Sequence, residues 1–174
     1  KAKGELVING GNFRADGTSL NGKHGIIKQE SLCDEATTTI NGGNYIATHP
    51  TVEGINNPTY PTSYIFDEAN NCNGGSVYGK IIINDGTYEI NSQKQAYGTA
   101  DTMVEMNGGE ISITAPTAIG IGYYSSSYNR SRSSSRVIKG GKLIVNGTTT
   151  GYGIDYGTNA ITGGEIIVNA PTGY

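Results

Sequence analysis

Tryptophan is absent from this chain, and cysteine, histidine, methionine and phenylalanine each occur only twice. With so few cysteines and histidines, and no metal-ligand spacing among them, a zinc site is not expected. The cysteines, Cys33 and Cys72, lie outside the repeat described below. The secreted character of the composition favours one disulfide between them, tying two surface loops, and two free thiols are the alternative.

Charge is scarce as well, since 16% of the 174 residues are charged and the formal net charge is −3. No basic stripe is present to neutralise phosphates, so nucleic acid is not an expected partner. No apolar run approaches the roughly 18 to 20 residues of a membrane-spanning helix. The chain starts at Lys1 with neither Met nor a signal sequence, and we expect it to be a mature or excised segment.

Glycine is abundant instead, with 27 residues, and much of it belongs to a repeated motif. The clearest copy is ITGGEIIVN at residues 161–169, and the same frame starts at Ile8, Ile40, Ile83, Met106, Ile138 and Ile161. The intervals from Ile83 to Met106 and from Ile138 to Ile161 are equal, and the longer ones fit the same unit with insertions. Because a propeller blade needs about 40 to 50 residues, the repeat predicts an all-β chain in which each unit is one coil of a parallel β-helix.

The columns of the aligned repeat predict which side chains face inward. Apolar residues recur at the first, sixth and eighth positions of each copy, and the last two lie two residues apart, as on a strand with one buried face. The position between them is predicted to face outward: Arg14, Ile46, Glu89, Ser112, Ile144 and Ile167. Glycine pairs mark sharp corners, and Asn, Asp or Thr beside the corners can form ladders from coil to coil.

Two insertions interrupt the repeat, at about 49–79 and 123–136. Long loops in a compact repeat are where binding sites usually lie. Tyrosine is the best lead there, because sugars stack on aromatic rings while polar neighbours hold their hydroxyls. The candidate ligand-binding residues are Tyr60, Tyr64, Tyr123, Tyr124, Tyr128, Arg130, Arg132, Tyr152 and Tyr156. Loop packing and subunit contacts are the alternative roles for the loop tyrosines, and Tyr45 and Tyr88 are assigned to the core.

The strings GGEISITAPTAIGI (108–121) and GGEIIVNAPTGY (163–174) resemble a family of secreted bacterial right-handed β-helix proteins described as carbohydrate-binding. The repeat predicts about six coils, each of about 23 residues apart from insertions, and the resemblance implies that the helix is right-handed. Because neither end shows a capping segment, we expect a single domain over 1–174 that is truncated or stacks at both ends. The resemblance also implies an extracellular or cell-surface location, with polysaccharide as the partner. The paired Asp residues that we associate with such coils are missing at 116–119 and 149–152.

Three functions follow as hypotheses. The preferred one is a non-catalytic module that binds polysaccharide. The alternative is an adhesin or filament subunit, a homo-oligomer whose coils stack end to end. A polysaccharide lyase or hydrolase is less favoured, because the acids are scattered and no catalytic triad or glycosidase carboxylate pair is recognisable. No catalytic residue, metal ligand or cofactor is therefore predicted, and calcium, which needs several converging oxygen ligands, has no support in the sequence.

Overall fold

The computed structural model describes residues 5–16, 23–31, 37–49, 62–70, 80–93, 95–100, 103–122, 135–155 and 158–173. None of these residues lies in a helix, so the described chain is all-β, as predicted. Its strands are β1 (Glu5–Ile8), β2 (Asn12–Asp16), β3 (Lys23–Ser31), β4 (Thr37–Ile40), β5 (Asn44–His49), β6 (Thr62–Asn70), β7 (Lys80–Ile83), β8 (Thr87–Ser92), β9 (Gln95–Ala100), β10 (Met103–Met106), β11 (Glu110–Gly122), β12 (Ser135–Ile138), β13 (Lys142–Ile154), β14 (Thr158–Ile161), β15 (Glu165–Asn169) and β16 (Thr172–Gly173).

The strands stack in three rows, and every pairing within a row is parallel. The first row is a six-stranded sheet in the order β1-β4-β7-β10-β12-β14. The second row runs β2-β5-β8-β11-β13-β15, and the third runs β3-β6-β9-β11-β13-β16. Strands β11 and β13 belong to both later rows because each is 13 residues long. Stacked parallel strands of this kind are consistent with a β-solenoid.

We call each first-row strand, together with the corner and second-row strand that follow it, a rung, and number the rungs 1 to 6 along the chain. The register matches the aligned repeat residue for residue, so that Ile8 pairs with Ile40, Ile40 with Ile83 and Ile83 with Met106. The column continues through Ile138 to Ile161. The repeat read from the sequence is therefore the unit that stacks in the structure.

The core consists of the predicted inward columns. Within rungs 2 to 5 the apolar side chains at the three predicted positions are at most 2% exposed: Ile40, Tyr45, Ala47, Ile83, Tyr88, Ile90, Met106, Ile111, Ile113, Ile138, Leu143 and Val145. In rungs 1 and 6 the same columns are only partly covered, and Ile161 is 56% exposed. Each rung therefore depends on its two neighbours for the burial of its apolar side chains.

Aromatic rings fill one core column in rungs 1 to 3, and aliphatic side chains fill it in rungs 4 to 6. Phe13, Tyr45 and Tyr88 stack with ring centroids 4.8 Å apart and planes within 9° of parallel. That spacing matches the roughly 4.8 Å between neighbouring strands, so in-register pairing places the rings face over face. Burial raises the pKa of Tyr88, and its protonated hydroxyl donates a 2.8 Å hydrogen bond to the Asp85 carbonyl.

The corner geometry changes at the same point. The second corner residue is a glycine with positive φ in every rung, as predicted, but φ is 118–127° in rungs 1 to 3 and 82–86° in rungs 4 to 6. In the first three rungs the ring lies directly beneath its own corner, since a Cβ on Gly43 would lie 3.0 Å from Cε2 of Tyr45. The larger φ of these corners therefore accommodates an aromatic ring, which is wider than the aliphatic side chains of rungs 4 to 6.

The structure refines the boundaries of both insertions. Residues 62–70, within the predicted insertion at 49–79, form β6, which pairs in register with β3 and β9 in the third row. The insertion predicted at 123–136 extends too far, because its last two residues begin β12. Arg136 is 1% exposed there and in register with Val104. Burial raises the pKa of Asp155, and the positive charge of Arg136 opposes that rise, so the arginine lies within electrostatic reach of this carboxylate.

Candidate functional site

The outer face of the second row carries a set of polar side chains that extends over neighbouring strands. Burial alternates along β8, where Tyr88 and Ile90 are buried while Thr87 and Glu89 are exposed. The same alternation in β11 directs Glu110, Ser112 and Thr114 away from the core. Parallel pairing then places Thr87 beside Glu110, Glu89 beside Ser112, and Asn91 beside Thr114.

These two strands contribute most of a groove of about 350 Å³. Its lining residues are Asn44, Thr87, Tyr88, Glu89, Asn91, Glu110, Ser112 and Thr114. The volume lies at the lower end of the range of about 300 to 1,000 Å³ that small-ligand sites occupy. A groove of this size can hold one or two sugar rings of a longer chain.

Half-buried isoleucines flank the polar floor of the groove. Along the outward column, Ile46 pairs with Glu89 on one side, and Ser112 pairs with Ile144 on the other. Both isoleucines belong to the column that was predicted to face outward, and both are intermediate in exposure. Polar groups between two aliphatic side chains are complementary to a pyranose ring, which has hydroxyls at its edge and C–H groups on its faces.

Hydrogen bonds between neighbouring side chains hold two of the polar groups in place. The Thr87 hydroxyl donates to Oδ1 of Asn44 at 3.0 Å, which links rung 3 to rung 2. Nδ2 of Asn91 donates to Oε1 of Glu89 at 2.7 Å along one strand. Because these groups are ordered before any ligand arrives, binding costs less side-chain entropy.

An asparagine ladder runs along the corner that precedes the groove. Nδ2 of Asn41 donates to Asn9, Nδ2 of Asn84 to Asn41, and Nδ2 of Asn107 to Asn84, at 2.7–2.8 Å. A second ladder bond joins Asn169 to Asn146 at 2.9 Å at the far end of the second-row strands. The predicted corner ladders are confirmed at these positions, and they keep the strands that form the groove in register.

In rung 5 a lysine occupies the position that asparagine holds in the ladder of the earlier rungs. This lysine takes part in a cluster of ion pairs on the first row. Lys139 Nζ lies 2.5 Å from one Glu105 oxygen, and Lys80 Nζ lies 2.6 Å from the other. The bond from Lys139, followed by that from Lys80, lowers the pKa of Glu105 to about 2. The cluster lies on the first row and contributes nothing to the lining of the groove.

Most of the predicted site residues lie outside the described ranges. This applies to Tyr60, Tyr123, Tyr124, Tyr128, Arg130, Arg132 and Tyr156, and to the proposed disulfide partners Cys33 and Cys72. Tyr64 lies on β6 in register with Tyr97. Tyr152 is half-buried on β13 in register with Ile119. Both belong to the third row, and Tyr152 is not among the lining residues of the groove.

The groove residues themselves were missed as a site by sequence reasoning, although Glu89 and Ser112 were correctly placed outward. The acids were described as scattered along the chain, and those of this column were given no role. A usable signal was present in the two neighbouring copies, where Thr87-x-Glu89-x-Asn91 aligns with Glu110-x-Ser112-x-Thr114. Stacking these two strings in register puts six polar side chains on one patch.

Comparisons of the chain with protein-family profiles, curated proteins and solved structures return no match. Among the residues that the structure describes, no cluster of three or more His, Cys, Asp or Glu side chains is arranged to hold a metal ion. Within the same part of the chain, no helix is long and apolar enough to cross a membrane.

Proposed function

We propose that this chain is a right-handed parallel β-helix of about six coils and that it binds polysaccharide without catalysis. Each coil has about 23 residues apart from insertions, the separation that the ladder bonds of Asn107 to Asn84 and of Asn169 to Asn146 span. The stacked parallel rows support the solenoid, and the family resemblance supplies its hand. A secreted or cell-surface location belongs to the same proposal and rests on the composition and the resemblance.

One observation carries the proposal. The groove across β5, β8 and β11 is lined by hydroxyl, amide and carboxylate groups, and Ile46 and Ile144 are the register neighbours of Glu89 and Ser112 on either side. Hydroxyl and amide groups both donate and accept hydrogen bonds, as sugar hydroxyls do. The groove lies across stacked strands, so a linear glycan can extend beyond it along the outer face in either direction.

The test is binding of the purified chain to a panel of soluble neutral and charged polysaccharides by titration calorimetry. Ser112→Leu removes a hydroxyl from the groove and adds bulk there, and we expect it to weaken binding at least tenfold. Ser135→Leu, the same change at an exposed position on the first row, is the matched control and should leave binding unchanged. Binding to no member of the panel would refute the proposal.

A double variant separates the groove from the serine-rich insertion. Tyr123→Ala with Tyr124→Ala tests the site expected from the sequence, and we expect a smaller loss of affinity than for Ser112→Leu. The opposite ranking would move the site to the insertion and leave the groove without a role. Assays for reducing ends and for unsaturated products, run on the same mixtures, test the hydrolase and lyase alternatives.

A filament or adhesin subunit is the second candidate, and the ends of the stack favour it. Leu6 in rung 1 is 41% exposed and Ile161 in rung 6 is 56% exposed, although both lie in inward columns. A second copy stacked end to end would cover these side chains and pair the outermost strands. Light scattering over a concentration series, with electron microscopy of the same samples, tests this, and a monomer at every concentration would exclude it.

A further inference from the structure

The charges on the outer face of the second row point to the class of glycan, an inference that rests on the proposed function. Each strand of this row presents three outward positions, and the charged residues among them are Arg14, Asp16, Glu89, Glu110, Lys142 and Glu165. Four of these are acidic and two are basic. The two basic residues lie outside the groove, and both acidic residues of the groove floor come from neighbouring strands.

Both cations on this face are already ion-paired. Arg14 Nε lies 2.6 Å from Asp16 Oδ2 in rung 1. Lys142 Nζ lies 3.2 Å from Glu165 Oε2 and bridges rung 5 to rung 6. Lys142 is also in register with Glu110 of the groove, so it adjoins two acids. A carboxylate-bearing sugar in the groove would meet two like charges and would compete with Glu110 and Glu165 for this cation.

The groove carboxylates are placed to act together on one ligand. Glu89 is in register with Ser112, and Glu110 is in register with Thr87, so the two glutamates are diagonal neighbours on adjacent strands. Strand spacing and rise place their Cα atoms about 8 Å apart, a span that one or two sugar units can cover. Glu89 already accepts from Asn91, which holds one of its oxygens and leaves the other for a ligand.

We propose that the groove selects glycans that carry ammonium groups, as in polymers of glucosamine, over neutral glycans, and rejects uronic-acid polymers. An ammonium group donates three hydrogen bonds, and those it makes to carboxylates are charge-assisted and stronger than neutral ones. The hydroxyls of Thr87, Ser112 and Thr114 contribute equally to all three classes of glycan. The glutamates therefore set the preference, and the remainder of the groove supplies the affinity that the classes share.

The experiment compares three soluble oligosaccharides of matched length: a glucosamine oligomer, its N-acetylated counterpart, and an oligogalacturonate. The wild-type chain should bind them with affinity falling in that order, and the preference for the glucosamine oligomer should shrink as salt is added. Glu89→Gln and Glu110→Gln should each lower affinity for that oligomer about tenfold. Each variant should lose less affinity for the N-acetylated oligomer than for the glucosamine oligomer, so that the ratio of the two affinities falls.

Glu5→Gln is the control, because it removes an exposed acid from the first row, outside the groove, and leaves both ion pairs of the second row intact. It should leave the order of the three ligands unchanged. Oligogalacturonate binding as tightly as the glucosamine oligomer, or glutamine variants with an unchanged preference, would overturn the inference while leaving polysaccharide binding in place. Binding of other glycans of the panel only would also overturn the inference and leave polysaccharide binding in place, whereas binding to neither these three ligands nor any member of the panel would overturn both. Thermal melts of each variant confirm folding before the affinities are compared.

Discussion

Two glycines in the same corner column should respond in opposite ways to the same substitution. Gly42 and Gly140 are each the first glycine of a corner, and neither has a positive φ. A Cβ on Gly42 would make an ordinary contact, 3.5 Å from the Asn9 carbonyl oxygen, whereas a Cβ on Gly140 would overlap the carbonyl oxygen of Asn107. The column tolerates a side chain elsewhere, since Asp85 occupies it in rung 3.

The magnitudes follow from these contacts. Gly140→Ala forces the rung 4 and rung 5 corners apart, and overpacking of this kind costs about 1–3 kcal/mol. Gly42→Ala creates no clash and restricts the unfolded chain, which stabilises a protein by about 0.4–1 kcal/mol. The free energies of unfolding of the two variants should therefore differ by about 1.4–4 kcal/mol. At about 2–4 °C for each kcal/mol in a chain of this size, that corresponds to a difference of about 3–16 °C in melting temperature.

Circular dichroism melts of the wild type and the two single variants, recorded in one buffer, measure this difference. We expect Gly140→Ala to melt several degrees below the wild type and Gly42→Ala to melt at or slightly above it. Equal melting temperatures for the two variants would refute the reasoning, because it would show that the two corners are equally spacious in solution. The carbonyl contacts described for rungs 4 and 5 would then be wrong.

Two further predictions concern polar groups. Lys139 and Lys80 bind the Glu105 carboxylate and lower its pKa from the ordinary 4.5 to about 2. These ion pairs therefore stabilise the folded protein fully above about pH 4.5, and their contribution to the free energy of unfolding is lost as the pH falls toward 2. Melting temperatures of Glu105→Gln should therefore vary less than those of the wild type between pH 2 and 5, and parallel curves would contradict the assignment. Asn84 takes part in two ladder bonds and Asn9 in one; at about 1 kcal/mol or less for each exposed bond, urea titration should show Asn84→Ala to be about twice as destabilising as Asn9→Ala.

The columns could be predicted from the sequence because each apolar position has the same neighbour in the rungs above and below. Ile90 and Ile113 are buried regardless of the conformation of the insertions. The two-residue period of a strand and the in-register stacking determine which side of the sheet each side chain occupies. The corner glycines follow for the same reason, because a tight bend with positive φ excludes most other residues. These features depend on local chemistry repeated six times, which a single sequence displays.

The groove could not be predicted in this way. Its residues were assigned to the outside correctly, but exposure does not distinguish a flat solvated face from a concave one. The concave shape depends on the sizes of side chains that are neighbours on adjacent rungs. Ser112 is small and lies between Glu89 and Ile144, which are both larger. The buried position of Arg136 was not predicted either. The sequence placed it at the end of the insertion at about 123–136, whereas the pairing of β12 places it in the interior.

The change of corner between rungs 3 and 4 restricts how this chain can lengthen by duplicating its own segments. A copied aromatic unit inserted beside Tyr45 would continue the ring stack and share the φ of its neighbours. The same unit placed beside Leu143 would meet an aliphatic column and the narrower φ of the later corners. Duplication within either group of three rungs therefore adds no junction between the two kinds of corner, whereas a unit moved into the other group adds two to the one that Tyr88 and Ile111 already form. The order of the units along the chain is thus itself a constraint on its evolution.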